Sequence, residues 1–201
     1  MQKHRELLLT AIHQRKAEDL EALFSSEDVN PNFIINHMQN TPLHIVAAMD
    51  VPETMDMVKV CIKAGADVDC RDVHGRSAIH FVAGTDNVAL IRYLIKDVNA
   101  DINCVTEGGE TPLIKAIGFG KANIVSELLE LGADVTIKTF NNESAIDLAA
   151  KSLNKRIVQI FEEYKAMISA EGEFESGPGA SQEEKPQILT QSDPEADEMM
   201  D

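Results

Sequence analysis

The stretch NTPLHIVAAMD, Asn40 to Asp50, returns three more times along the chain in altered form. The later copies are RSAIHFVAG (Arg76 to Gly84), ETPLIKAIG (Glu110 to Gly118) and ESAIDLAAK (Glu143 to Lys151). Their hydroxyl residues Thr41, Ser77, Thr111 and Ser144 stand 36, 34 and 33 residues apart. A second phrase travels with the first: KAGADVDC (Lys63 to Cys70), VNADINC (Val98 to Cys104) and LGADVTI (Leu131 to Ile137). Two linked phrases at one such period mark a stack of similar supersecondary units.

The chemistry of each unit is legible. Thr or Ser is placed to cap a first helix by accepting a bond from a free backbone N–H. Pro42 and Pro112 follow directly, at the first helical position, where a missing N–H costs nothing. Leu43, Ile79, Leu113 and Ile146 are expected to face inward. Small residues one turn later (Ala47, Ala48, Ala83, Gly84, Ala116, Ala149, Ala150) let neighbouring helices approach. A second helix follows in MVKVCIKAG, ALIRYLIKD, IVSELLELG and RIVQIFEEY, with apolar residues at i, i+3 and i+4. Gly65 and Gly132 suit the left-handed turn that ends a helix. Each unit thus reads as helix, turn, helix, extended turn.

These linked phrases resemble the ankyrin repeat over roughly Glu6 to Tyr164. The resemblance implies an all-α ankyrin-repeat solenoid, built of stacked helix-turn-helix units with β-hairpin-like turns, whose core is continuous between neighbours. Five units are expected. Residues 1–35, lacking the Thr-Pro phrase, read as a degenerate N-terminal capping repeat. Residues 36–170 read as the remaining repeats with a C-terminal cap, charged after Phe161. About three extra residues fall around VPETMD (Val51 to Asp56), and about one near Asp97 to Asn99. The His slot of the first phrase holds His44 and His80, then Ile114 and Asp147. Bonds from that His to the next repeat are therefore expected only in the two middle units.

Composition bounds the function. The 201 residues are 44% hydrophobic with a net charge of −16, no Trp and two Tyr. That balance argues against nucleic-acid binding, which rests on neutralising phosphates with cations. From Glu171 to Asp201 there are ten acids and one base, a net −9, leaving −7 elsewhere. Residues 171–201 are accordingly expected to be a disordered acidic tail. Within it PQILT (Pro186 to Thr190) is the stickiest piece, a docking segment or a plain spacer. Ser181 and Ser192 each precede Glu by three residues, a pattern suiting an acid-directed kinase. No long apolar run suggests a secretory signal or a membrane span. Cys61, Cys70 and Cys104 are odd in number, which favours reduced thiols in cytoplasm or nucleus.

Catalytic chemistry is not expected. Cys61, Cys70, His74 and His80 fall in different parts of their units, so no metal or other cofactor is assigned to them. TEGGET (Thr106 to Thr111) lacks the Lys of a phosphate loop and reads as a hairpin tip. Cys70 and Cys104 are expected to have no His beside them to act as a base.

What remains is surface. In the family resembled, a partner protein usually lies on the concave side, formed by hairpin tips and first helices. By register the matching positions are His37, Met38, Asn40 and Met49, then Val73, His74, Arg76 and Thr85, then Glu107, Glu110 and Phe119. The fifth unit supplies Phe140, Asn141, Glu143 and Ser152. Met38, Met49, Val73, Phe119 and Phe140 are apolar where a solvent face would be polar; Phe119 and Phe140 could instead pack on each other. The expectation is a monomeric module that binds another protein, with no enzyme activity and no membrane or nucleic-acid partner. The alternative is an escort or inhibitor whose tail shields a basic client.

Overall fold

The computed structural model describes residues 2–26 and 29–175. Five helical pairs follow in chain order. They are α1 (Gln2–His13) with α2 (Ala17–Ser25), α3 (Pro42–Ala47) with α4 (Thr54–Lys63), and α5 (Ala78–Val82) with α6 (Val88–Lys96). The last two are α7 (Pro112–Gly118) with α8 (Ala122–Glu130), and α9 (Ala145–Ala150) with α10 (Lys155–Glu175). The first members α3, α5, α7 and α9 pack in one row, while α2 packs on α4 and α6, α8 and α10 pack in turn behind them. Among the described residues no helix is long and apolar enough to cross a membrane.

The register of the first helices decides what is buried. Leu43, Ile79 and Leu113 are sealed, as are Ala47, Ala83, Ala116 and Ala149 one turn later. Ile146 is only half-buried, and among the described residues no further unit packs over it. On the second helices Met57, Val58 and Cys61, then Leu90, Ile91 and Leu94, then Ile124, Val125 and Leu128 close the core from behind. One hydrophobic cluster runs from Leu8 to Phe161 without a break between units. Ion pairs cross the outer row: Lys63 to Glu21 at 2.7 Å, and Arg92 to Glu127 through two bonds of 2.7 Å.

The second helices α4, α6 and α8 each end in a left-handed residue. Gly65 (φ 92°) and Gly132 (φ 86°) do this, and Asn99 (φ 60°) replaces the glycine in the third unit. The N–H of the following residue reaches back to the helix: Ala66 to the Cys61 carbonyl, Ala133 to Leu128 and Ala100 to Leu94. The insertion of the second unit is absorbed in residues 48–53, before α4 begins at Thr54, so the last part of VPETMD is helical. The ends of the stack differ from expectation. The first helix starts at Gln2, and α10 continues to Glu175, five residues into the segment expected to be disordered. Ser181, Ser192 and the rest of that tail lie outside the described residues.

Successive units are also stitched through hairpin tips. Asp72 N–H donates to the Arg76 carbonyl, and the same closure recurs at Ile35–Asn40, Thr106–Glu110 and Thr139–Glu143. Each tip then bonds the previous one: Val73 N–H to Met38 carbonyl, Glu107 to His74 and Phe140 to Gly108, at 2.9–3.0 Å. Tip geometry requires a left-handed residue, supplied by Gln39, Gly75, Gly109 and Asn142. At Gly75 the next tip is so close that a Cβ would lie 2.8 Å from the Glu107 nitrogen. Gly75→Ala should therefore cost about 2–3 kcal/mol in urea unfolding, from left-handed strain plus a backbone clash. Gly118→Ala, in α7 with open space around it, should be neutral or slightly stabilising in the same assay.

Candidate functional site

Two histidines organise the middle of the stack. His44 Nδ1 accepts from the Thr41 N–H at 3.1 Å, completing the capping box of α3. That acceptor role leaves the proton on Nε2, which donates across 3.1 Å to the Arg76 carbonyl in the next hairpin. His80 repeats the arrangement, accepting from Ser77 N–H at 3.2 Å and donating to the Glu110 carbonyl at 3.1 Å. Units four and five lack the bridge, as their residues dictate. Thr111 Oγ1 simply accepts the Ile114 N–H. Asp147 closes its box by accepting from Ser144 N–H at 2.9 Å and from Ser144 Oγ at 2.7 Å.

Burial drives both histidines toward the neutral form, with His80 held down at about 4. Cys104 lies beside it, with Sγ 3.3 Å from Ser77 Oγ and 3.7 Å from His80 Nδ1. The expectation that no His accompanies this thiol is thus wrong: the stacking of units three and four brings them together. The pair is nevertheless ill-suited to nucleophilic catalysis. Burial raises the thiol to about 11 while the imidazole is depressed, so neither charged form is favoured at neutral pH. Cys61 is sealed in α4 and pushed up to about 12 by burial. Among the described residues no group of three or more His, Cys, Asp or Glu could hold a metal ion.

The hairpin tips carry the polar part of the candidate face. Asp72 is buried yet keeps its charge. Burial alone would raise its carboxyl, but Arg76's side chain and the N–H groups of Arg76 and His74 bond it and hold it below the ordinary value. The Arg76 guanidinium then lies 4.6 Å over the Phe81 ring, which meets His44 edge-on at 5.5 Å. Asn36 serves its own tip in the same way, accepting from the N–H groups of Met38 and Asn40. Thr106 accepts from Gly108 and Glu110, and Thr139 from Glu143. These four tip organisers were not among the residues singled out from the sequence. Their signal was present, since each stands five residues before a capping Thr or Ser.

The expected contact residues divide by burial. Asn40 and Thr85 are internal rather than presented: Asn40 faces Asp72 at 3.4 Å, and Thr85 donates to the Val82 carbonyl. Arg76, Glu110 and Glu143 are half-buried in ion pairs with Asp72, Lys115 and Lys151. Met38, Met49, Val73 and Ser152 are half-buried, and His37, His74, Glu107 and Asn141 are exposed. Phe119 is 60% exposed and Phe140 82% exposed, so neither covers the other. Phe119 instead rests one edge against Gly84 of the preceding unit.

A family model described as ankyrin repeats matches residues 7–104, 45–139 and 87–172. The chain belongs to the ankyrin-repeat family. Among its relatives is the E3 ubiquitin-protein ligase KEG of Arabidopsis thaliana, 34% identical over 99 residues, which is 49% of this chain and 6% of the ligase. The 26S proteasome non-ATPase regulatory subunit 10 of Dictyostelium discoideum is 30% identical over 46% of this chain and 38% of the subunit. The nuclear factor NF-kappa-B p105 subunit of Mus musculus is 27% identical over 60% of this chain and 12% of the relative. The match spans well under half the length of each. Ankyrin repeats are a non-catalytic fold that generally mediates protein–protein contacts, and this ankyrin chain presents two uncovered phenylalanines on it.

The depressed His80 fixes the sign of the pH response. The unfolded chain binds a proton near pH 6.5 that the folded chain refuses until about 4. Stability is therefore full above 6.5 and falls through that interval on acidification, by up to about 1.4 kcal/mol per pH unit for one such group. Denaturant melts of His80→Gln should show lower stability at pH 7 and a shallower decline between pH 6.5 and 4.5 than the parent chain.

Proposed function

We propose that this chain is a non-enzymatic binding module, an adaptor, scaffold or regulatory subunit, holding a partner protein on the concave face. The observation that carries this reading is the exposure of Phe119 and Phe140 on the face built from first helices and stacked tips. Phe side chains left in water forgo their transfer free energy, and exposed aromatics are the usual anchors of a contact surface. Met38, Met49 and Val73, each half-buried, extend the apolar strip. Exposed His37, His74, Glu107 and Asn141 would form its polar rim. The three unpaired cysteines fit a reducing compartment, cytoplasm or nucleus. The acidic tail would modulate the contact, and the module would act as a monomer.

A second reading draws on the net −9 of residues 171–201. In it the tail shields a basic client, and affinity resides in charge. The two readings part on salt, which screens exposed charges strongly and apolar contacts little. The experiment is affinity capture with the full chain as bait, followed by titration of the purified partner. Phe119→Ala and Phe140→Ala should leave the melting temperature unchanged and each weaken binding roughly tenfold or more. Unchanged affinity in both variants, with a steep loss of binding at high salt, would transfer the assignment to the tail.

A further inference from the structure

An open groove of about 480 Å³ lies between the ends of the first helices of units four and five. Ile117, Phe119, Leu148 and Leu153 supply its apolar lining, and Lys151 and Asn154 its rim. Phe119 is 60% exposed and Leu153 wholly exposed. Asn154 is held in place by a 2.9 Å bond from its side-chain nitrogen to the Gly120 carbonyl. That bond joins the two walls, so the groove is preformed. Two more cations, Lys155 and Arg156, stand exposed at the start of α10 directly after it. Lys151 is paired with Glu143, so Lys155 and Arg156 make one end of the site basic, beside an apolar interior.

We propose that the groove is the docking site for a segment of this same chain, Pro186–Thr190, which lies outside the described residues. Three observations support the match. The first is chemistry: PQILT brings Pro186, Ile188 and Leu189, the most apolar run after α10. The second is charge. Glu183, Glu184 and Lys185 precede that run with a net −1, and Asp193 and Glu195 follow it with a net −2. An apolar core with acidic flanks complements an apolar groove with a basic end. The third is reach. The 21 residues of α10 carry the chain about 30 Å from the groove, because a helix rises about 1.5 Å per residue. Pro186 follows Glu175 by eleven residues, which span up to about 36 Å when extended. The segment can thus return to the point where α10 began, and a tethered segment binds at a high effective concentration.

The docked segment would cover Phe119, so a partner engaging that residue must displace it. The tail would then act as a competitive internal ligand, and phosphorylation at Ser192, beside the acidic flank, would strengthen its hold on the basic end. The consequence for partner binding rests on the reading given above, whereas the contact itself does not.

The test places a photo-reactive benzoylphenylalanine at Ile188 of the full-length chain. Crosslinks are mapped by mass spectrometry without any partner present. The expected products join position 188 to peptides containing Phe119 or Leu153 within one copy, at a yield independent of protein concentration. Phe119→Ala combined with Leu153→Ser should reduce that yield roughly tenfold while circular dichroism melts stay unchanged, because both side chains are largely in solvent. Crosslinks to the Met167 and Ile168 region of α10, to a second copy, scattered over the surface, or absent altogether would each overturn the proposal. None of these outcomes bears on whether Phe119 and Phe140 bind a partner.

Discussion

The stack depends on an imidazole that serves two units at once. His44 accepts from the cap of its own helix through Nδ1 and donates to the next hairpin through Nε2; His80 does the same one unit later. A side chain with one acceptor and one donor on a rigid ring is needed, because the two partners lie in different units at a fixed separation. Burial keeps the ring neutral, and neutrality keeps Nδ1 an acceptor. Cap, hairpin and repeat spacing are thereby locked by one protonation state. Acid would remove the acceptor and leave a buried cation facing a backbone N–H.

Other contacts take over where the imidazole is missing. Unit four puts Ile114 in the slot, and the space joins the apolar core. Unit five puts Asp147 there, whose carboxylate can accept from its cap but has no N–H to donate onward. The bond from Phe140 to the Gly108 carbonyl still joins the last two tips, and an antiparallel bridge pairs Lys138 with Ser144. The outer row adds a bidentate Arg92–Glu127 pair with the carboxylate buried. Each unit is therefore too small to fold alone, and neighbours supply what it lacks.

Most of the frame was legible because the cues are local. A hydroxyl before Pro, an inward Leu and a small residue one turn later define the first helix. The structure buries Thr41, Leu43 and Ala47 with their counterparts Thr111, Leu113 and Ala116, while the second Ala of each pair, Ala48 and Ala150, stays exposed. Left-handed ends at Gly65 and Gly132 follow from the same logic, with Asn99 taking the role in the third unit. The candidate face was only half legible. Register alone cannot separate presented from spent side chains, so Asn40 and Thr85 were expected on the face but are consumed by internal bonds. The proximity of Cys104 to His80 was hidden because the two residues are 24 apart and meet only when units stack.

The sequence by itself determined the repeat, its period and the caps. These are properties of single helices and turns, set by propensity and hydrogen-bonding groups within a few residues of one another. Tertiary structure decided which tip glycine tolerates no side chain and which polar residues of the expected face are spent on internal bonds. It also decided which apolar residues stay in water. Those outcomes depend on what the adjacent unit places against each residue, and contact across a separation of more than thirty residues is not encoded in any local pattern. Phe119 and Phe140 remain uncovered for that reason: their units are packed, and no neighbour in the described chain reaches over them.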